Sequence, residues 1–171
     1  MGKPVDPDRD SALYGERLRE RIYVGFTALA VLLALSVHAD DADAGQAALT
    51  LAVTVVGVAI AGLGADLIAH TVAHSAMPGP EEIWQMVRVA AGALLSIVLP
   101  LVLIGFSALG LLRLGVALTI SEYVLLVTFG VIALVALRRV EVRLWQRVLL
   151  VTVMMAIGLF AVVLELLAHL L

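Results

Sequence analysis

Long apolar runs separated by short polar segments dominate the hydrophobic pattern of the chain. The five runs lie at Ile22–Val37, Ala47–Ala73, Val87–Leu109, Leu114–Leu137 and Val148–Leu170. A helix needs about 20 apolar residues to cross the hydrocarbon core of a bilayer, and the runs lack the alternation typical of barrel strands. The pattern therefore predicts an all-α integral membrane bundle of five transmembrane helices.

The first of these runs is the shortest. The amphipathic stretch "ERLRERIY", residues 16–23, directly precedes it and is able to extend the same helix beyond the apolar region. We therefore expect a polar N-terminal segment at residues 1–20 and a five-helix transmembrane domain at residues 21–171.

Composition supports a membrane protein and excludes several soluble classes. Hydrophobic residues make up 63% and charged residues 15% of the 171 residues, and the mean hydropathy is +1.10. Soluble domains carry about 25% charged residues. The chain has no cysteine, which excludes disulfides and thiolate metal sites. It also has no phosphate-binding glycine loop, no nucleophile elbow and no basic surface suited to nucleic acid.

The distribution of basic residues predicts the orientation. With the N-terminus in the cytoplasm, 10 of the 11 Lys and Arg residues fall in inner segments and only Arg113 falls outside. This excess matches the positive-inside rule. It predicts a multi-pass protein of the cell inner (cytoplasmic) membrane with Leu171 outside, and anionic lipid head groups are the expected partners of the arginines.

The second run contains ionisable residues at helical spacing. "LGADLIAHTVAH", residues 63–74, places Asp66, His70 and His74 four apart and therefore on one helix face. Ionisable groups in a membrane helix indicate function by default. The three side chains suit a divalent metal such as zinc or a proton relay. The alternative is structural, with Asp66 only orienting the His70 ring.

A row of small residues runs beside this polar stripe. The row consists of Gly57, Ala61, Ala65, Ala69 and Ala73. Small residues allow close approach of neighbouring helices, so we expect this face, and the polar stripe with it, to lie inside the bundle.

Further ionisable residues fall in the predicted outer half of the membrane. Glu122, Glu165 and His169 would continue an ion or proton pathway, or one of the glutamates would pair with Arg113. Asp66 lies about 30 Å along helix two from its outer end, at 1.5 Å per residue. The two groups are therefore expected to form separate sites along a path.

Two other features bear on such a path. The first outer loop carries His38, Asp40, Asp41 and Asp43, which would form a cation entrance or simply a solvated loop. Pro100 interrupts the third run and is expected to kink that helix, because proline removes one backbone hydrogen bond.

The chain resembles a family of small multi-pass membrane proteins of actinobacteria. The resemblance is carried by "RIYVGFTALAVLLAL" before a short outer loop, by "LIAH" in the second helix and by the ending "LELLAHLL". It implies the same topology and makes His70 a residue of functional interest. The family has no assigned activity, so the resemblance implies nothing about substrate.

Three classes of function remain after the sequence is considered. The pattern favours a small proton or divalent-cation channel or transporter, assembled as a homo-oligomer because five short helices enclose only a thin-walled pore. An intramembrane metal-dependent hydrolase or lipid enzyme using Asp66, His70 and His74 is the second hypothesis. A structural subunit that binds a partner through the small-residue row is the third.

Overall fold

The computed structural model describes residues 7–138 continuously and, beyond them, residues 145, 146, 148, 149, 151–153, 156, 159, 160 and 163. Its helices are α1 Pro7–Ser36, α2 Ala44–His74, α3 Pro80–Leu94, α4 Val98–Ala108 and α5 Leu114–Arg138, and a 3-10 turn, Leu95–Ile97, joins α3 to α4. The described residues contain no strand. The prediction of an all-helical protein is therefore confirmed for this part of the chain.

In the described part of the chain, three helical segments are long and apolar enough to cross a membrane. They are Ala44–His74, Pro80–Ala108 and Leu114–Val135. Helix α1 is a single helix that includes "ERLRERIY", as the sequence predicted, but charges at Arg19, Glu20 and Arg21 leave it only a short apolar part. Most of the fifth predicted run lies outside the described residues.

The described helices pack as a ring in which α3 and α4 together form one side. Helix α1 contacts α2, α3 and α5, and both α2 and α5 contact α4 on the opposite side. The side chains in the middle are almost all aliphatic. The largest fully covered ones include Leu29, Leu32, Leu51, Ile104, Leu118 and Leu125, together with Phe129. The interior is thus an apolar core to which α1, α2, α4 and α5 all contribute.

The outward faces of the helices are also apolar. Ile60, Ile68 and Val72 on α2 are 64%, 67% and 76% exposed, and Val127 on α5 is 64% exposed. A soluble monomer rarely exposes contiguous apolar patches of this kind. These faces suit contact with lipid chains, which agrees with the three apolar segments long enough to span.

The connection between α2 and α3 is fixed at both ends. Ser75 ends α2 in the left-handed conformation, with φ 53°. Gly79 precedes α3, and its backbone N–H donates to Glu82 Oε2 at 2.8 Å. Because "SAMPGPEE" is so short, the N-terminus of α3 is held beside the last turn of α2, and this places Glu82 near the histidines.

The turn before Pro100 is where the third helix changes geometry. The 3-10 turn Leu95–Ile97 includes Ser96, which lies four residues before Pro100. In a regular α-helix the Ser96 carbonyl oxygen would accept from the N–H of residue 100, and proline has no N–H. Ser96 Oγ donates to the Ala93 carbonyl oxygen at 2.6 Å. Pro100 itself is fully covered, so the interruption lies against the core.

Asp43 caps the N-terminus of α2. Its backbone is extended, and its Oδ1 accepts from the Gln46 N–H at 2.9 Å. We predict that Asp43→Ala lowers the free energy of unfolding by about 1 kcal/mol, the usual loss for a removed cap. Unfolding of the purified protein in detergent would measure it. Asp40→Ala, in the exposed preceding turn, is the control; equal losses would contradict the capping role.

Candidate functional site

Ionisable side chains from three helices meet around an open pocket at the α2–α3 end of the bundle. The pocket has a volume of about 310 Å³. Its charged and imidazole lining consists of Glu16 and Arg19 from α1, Asp66, His70 and His74 from α2, and Glu82 from α3. We refer to Arg19, Asp66, His70, His74 and Glu82 as the α2–α3 cluster. The sequence predicted its three α2 members.

Asp66 is bound by an arginine of α1. Arg19 Nη2 lies 2.7 Å from Asp66 Oδ1, and the two side chains are 66% and 29% exposed. An acidic residue within an apolar run requires a partner, but the spacing within α2 does not identify that partner. Arg19 was therefore not predicted as part of the site, because the distribution of basic residues connects it only with topology.

The two histidines form a stacked pair. Their ring centroids are 4.3 Å apart with an angle of 21° between the ring planes. His74 Nδ1 lies 3.1 Å from the His70 carbonyl oxygen, and His70 Nε2 lies 3.4 Å from Glu82 Oε2. The same Glu82 oxygen accepts from Gly79. One carboxylate thus links the start of α3 to His70.

This arrangement bears on the predicted zinc site at Asp66, His70 and His74. An ion bound by two imidazoles lies near both ring planes, whereas nearly parallel stacked rings direct their nitrogens along separate planes. Over the described residues no group of three His, Cys, Asp or Glu side chains is placed to hold a metal. A zinc site here would require the rings and the Arg19–Asp66 pair to rearrange.

The chain was also compared with known proteins. No protein-family model, curated protein or solved structure matches it.

Glu20 has a buried carboxyl beside the cluster. The sequence predicts this residue to lie in the polar N-terminal segment. It is 5% exposed and precedes the apolar part of α1. Burial raises the pKa of the Glu20 carboxyl above its ordinary value, the Asp66 carboxylate raises it further, and Arg19 lowers it. No signal in the sequence would have found it, because the register of α1 against α2 decides that Glu20 lies against Gly62.

The small-residue row of α2 is not covered in the described structure. Gly57, Ala61, Ala65, Ala69 and Ala73 are all exposed. The buried residues of α2 are instead Ala47, Leu51, Val55 and Ala59. The expectation that the row faces the interior is therefore not met by any described helix. The larger Leu and Val side chains provide the contact, so the polar stripe lies at a pocket rim.

The outer group of predicted residues is only partly described. Glu122 is 8% exposed, and Ser36 Oγ from the end of α1 donates to its Oε1. Glu165 and His169 lie outside the described residues. Glu122 is thus a buried polar side chain at the opposite end of the core from the α2–α3 cluster.

The acidic loop does not converge on one point. His38, Asp40 and Asp41 are exposed, and Asp43 caps α2. Asp40 shares a recess of about 440 Å³ with Arg113, which places a positive charge beside the predicted cation entrance. The acidic character of the entrance is therefore reduced at this point.

Proposed function

We propose that this chain is a multi-pass protein of the cytoplasmic membrane that moves protons, with the α2–α3 cluster as its inner proton-binding site. The observation that carries the proposal is the convergence of ionisable groups from α1, α2 and α3 on one open pocket. We further propose five transmembrane helices with the N-terminus in the cytoplasm and the C-terminus outside, since the basic residues favour that orientation. This orientation places the cluster on the cytoplasmic side.

Protons suit this cluster better than a resident divalent metal. Histidine is the side chain that ordinarily exchanges a proton near neutral pH, and His70 Nε2 lies 3.4 Å from Glu82 Oε2. A metal would have to displace Arg19 from Asp66. Divalent cations remain a second candidate as cargo, because Glu16, Asp66 and Glu82 line the same pocket as the histidines.

A path through the chain would have to pass an apolar barrier. Val24, Ala28, Leu29 and Leu32 of α1 are 0% exposed and lie between the α2–α3 cluster and the Ser36–Glu122 pair. The buried side chains described along this part of α1 are all apolar. We therefore propose that transfer involves either opening of the bundle or a path between copies of a homo-oligomer.

Proton flux into liposomes tests the proposal. With an imposed pH gradient and an internal pH-sensitive dye, we expect His70→Gln and Asp66→Asn each to reduce the flux at least about tenfold, in the usual range for loss of a proton-transfer group. Thr50→Val, a nearly isosteric change at an exposed position of α2, should leave it unchanged.

The outcomes separate the functional classes. Wild-type flux in both variants, or no flux in the wild type, contradicts proton movement. Zinc uptake lost in the same variants without proton flux would identify a divalent cargo. Elemental analysis that finds a metal retained by the wild type but not by the double variant would favour the hydrolase alternative. A protein without flux or metal would leave the structural-subunit alternative.

A further inference from the structure

A second cavity lies between α1 and α2, next to the pocket of the α2–α3 cluster, with which it shares Arg19, Asp66 and Ala69. We call it the α1–α2 groove; its volume is about 450 Å³. Its walls are small and apolar on the α2 side, at Val58, Ala61, Gly62 and Ala65. Ligand pockets for small molecules have volumes of about 300–1,000 Å³ and mostly apolar walls with a few polar groups. The groove matches that description.

Glu20 is the polar group at the base of this groove. It is 5% exposed, and within residues 15–135 no hydrogen bond or ion pair reaches its carboxyl oxygens. A Cβ atom at Gly62 would lie 2.7 Å from Glu20 Oε1, so the glycine makes room for the carboxyl. Leaving a buried carboxyl without a hydrogen-bond partner is unfavourable, and the missing partner is one that donates.

The charges around the groove favour a cation as that partner. Among the described residues that line the groove, Glu20 and Asp66 provide two carboxyls, whereas Arg19 provides one guanidinium, which is bound to Asp66 at 2.7 Å. Tyr23 also lines the groove and is 58% exposed. Its ring provides a face to which an organic cation is attracted. The groove therefore combines a buried carboxyl that has no hydrogen-bond partner among the described residues, an aromatic rim and an apolar wall.

We propose that the α1–α2 groove binds a small organic ammonium ion with an apolar body. The ammonium group donates to the carboxyl of Glu20, and the apolar body lies against Val58, Ala61 and Ala65. This assigns a function to Ala61, Ala65 and Ala69 of the exposed small-residue row, since larger side chains at these positions would fill the groove. The inference goes beyond the proposed proton movement, because binding requires no flux across the membrane.

Binding of radiolabelled 2-phenylethylammonium to the full chain in phosphatidylcholine nanodiscs tests this inference. Empty nanodiscs give the background, and the zwitterionic lipid avoids electrostatic binding to the membrane. We expect Glu20→Gln to weaken binding at least about tenfold, as for loss of a charge-assisted hydrogen bond. Glu81→Gln, which removes an exposed carboxylate of α3 outside the groove, should change the affinity less than about twofold, within the usual small effect of an exposed charge.

Two further comparisons keep the test decisive if Glu20→Gln does not fold. Unlabelled 2-phenylethanol, which has the same body without the charge, should compete at least about tenfold more weakly for the wild type. Gly62→Leu should abolish binding by filling the groove. Equal competition by the alcohol, or unchanged affinity in folded Glu20→Gln or Gly62→Leu, would overturn the proposal. If the wild type bound the ammonium ion but showed no proton flux, that result would count against the proposed function alone.

Discussion

Replacing Phe129 by alanine should lower the free energy of unfolding by about 3–5 kcal/mol, the range for a large aromatic side chain removed from a packed core. Phe129 is 2% exposed. Its ring stacks on Phe26 with centroids 4.3 Å apart and 13° between the planes. The pair joins α5 to α1, so its loss leaves a cavity between the two helices.

Unfolding of the purified protein in mixed micelles with increasing SDS would measure this loss. Val127→Ala is the matched control, since Val127 lies on the same helix but is 64% exposed. Its substitution should change stability by less than about 1 kcal/mol, because its outward side chain leaves no cavity in the core. Similar losses for the two variants would show that the Phe129 ring is not part of a tightly packed core.

The helices of this protein are predictable because their signals are local. The lengths of the apolar runs and the "PGP" break between α2 and α3 depend only on neighbouring residues. The extension of α1 through "ERLRERIY" follows from the same reasoning. The structure confirms these features for residues 7–138, and three of the predicted spans are long and apolar enough to cross a membrane.

The contacts of the candidate site were not predictable in the same way. Spacing within α2 shows that Asp66, His70 and His74 share a face. Which side chains of α1 contact that face depends on the register of the two helices, that is, on how far α1 is shifted along its axis relative to α2. That register places Arg19 on Asp66 and Glu20 against Gly62. A periodic pattern in one helix contains no information on the register of the next.

The small-residue row illustrates a related difficulty. Its spacing correctly describes a continuous face of α2, and small residues are common where helices meet. The described helices nevertheless pack against the face of Leu51 and Val55, where more apolar surface is available. A small-residue face is therefore open to two uses, close helix contact or room for a ligand, and Glu20 at the groove favours the second here.

Gly25→Val should destabilise the protein by about 1–3 kcal/mol through overpacking. A Cβ atom at Gly25 would lie 2.6 Å from Phe129 Cε1, and the ring has no free space to move into because it is buried and stacked on Phe26. Removal of a helical glycine would by itself be favourable by up to about 1 kcal/mol. The steric clash with a buried ring is the larger effect.

A double-mutant cycle separates this clash from other effects of the substitution. In the Phe129→Ala background the valine occupies space left by the ring, so adding Gly25→Val there should restore part of the lost stability. The coupling energy between the two positions should be about 0.5–3 kcal/mol, as for residues in direct contact.

Gly57→Val is the control, because a Cβ atom at Gly57 meets nothing within 4 Å. Additive losses at positions 25 and 129 would contradict the close packing of α1 on α5. That packing is part of the apolar core between the α2–α3 cluster and Glu122, so the same cycle tests how tightly the centre of the described bundle is packed.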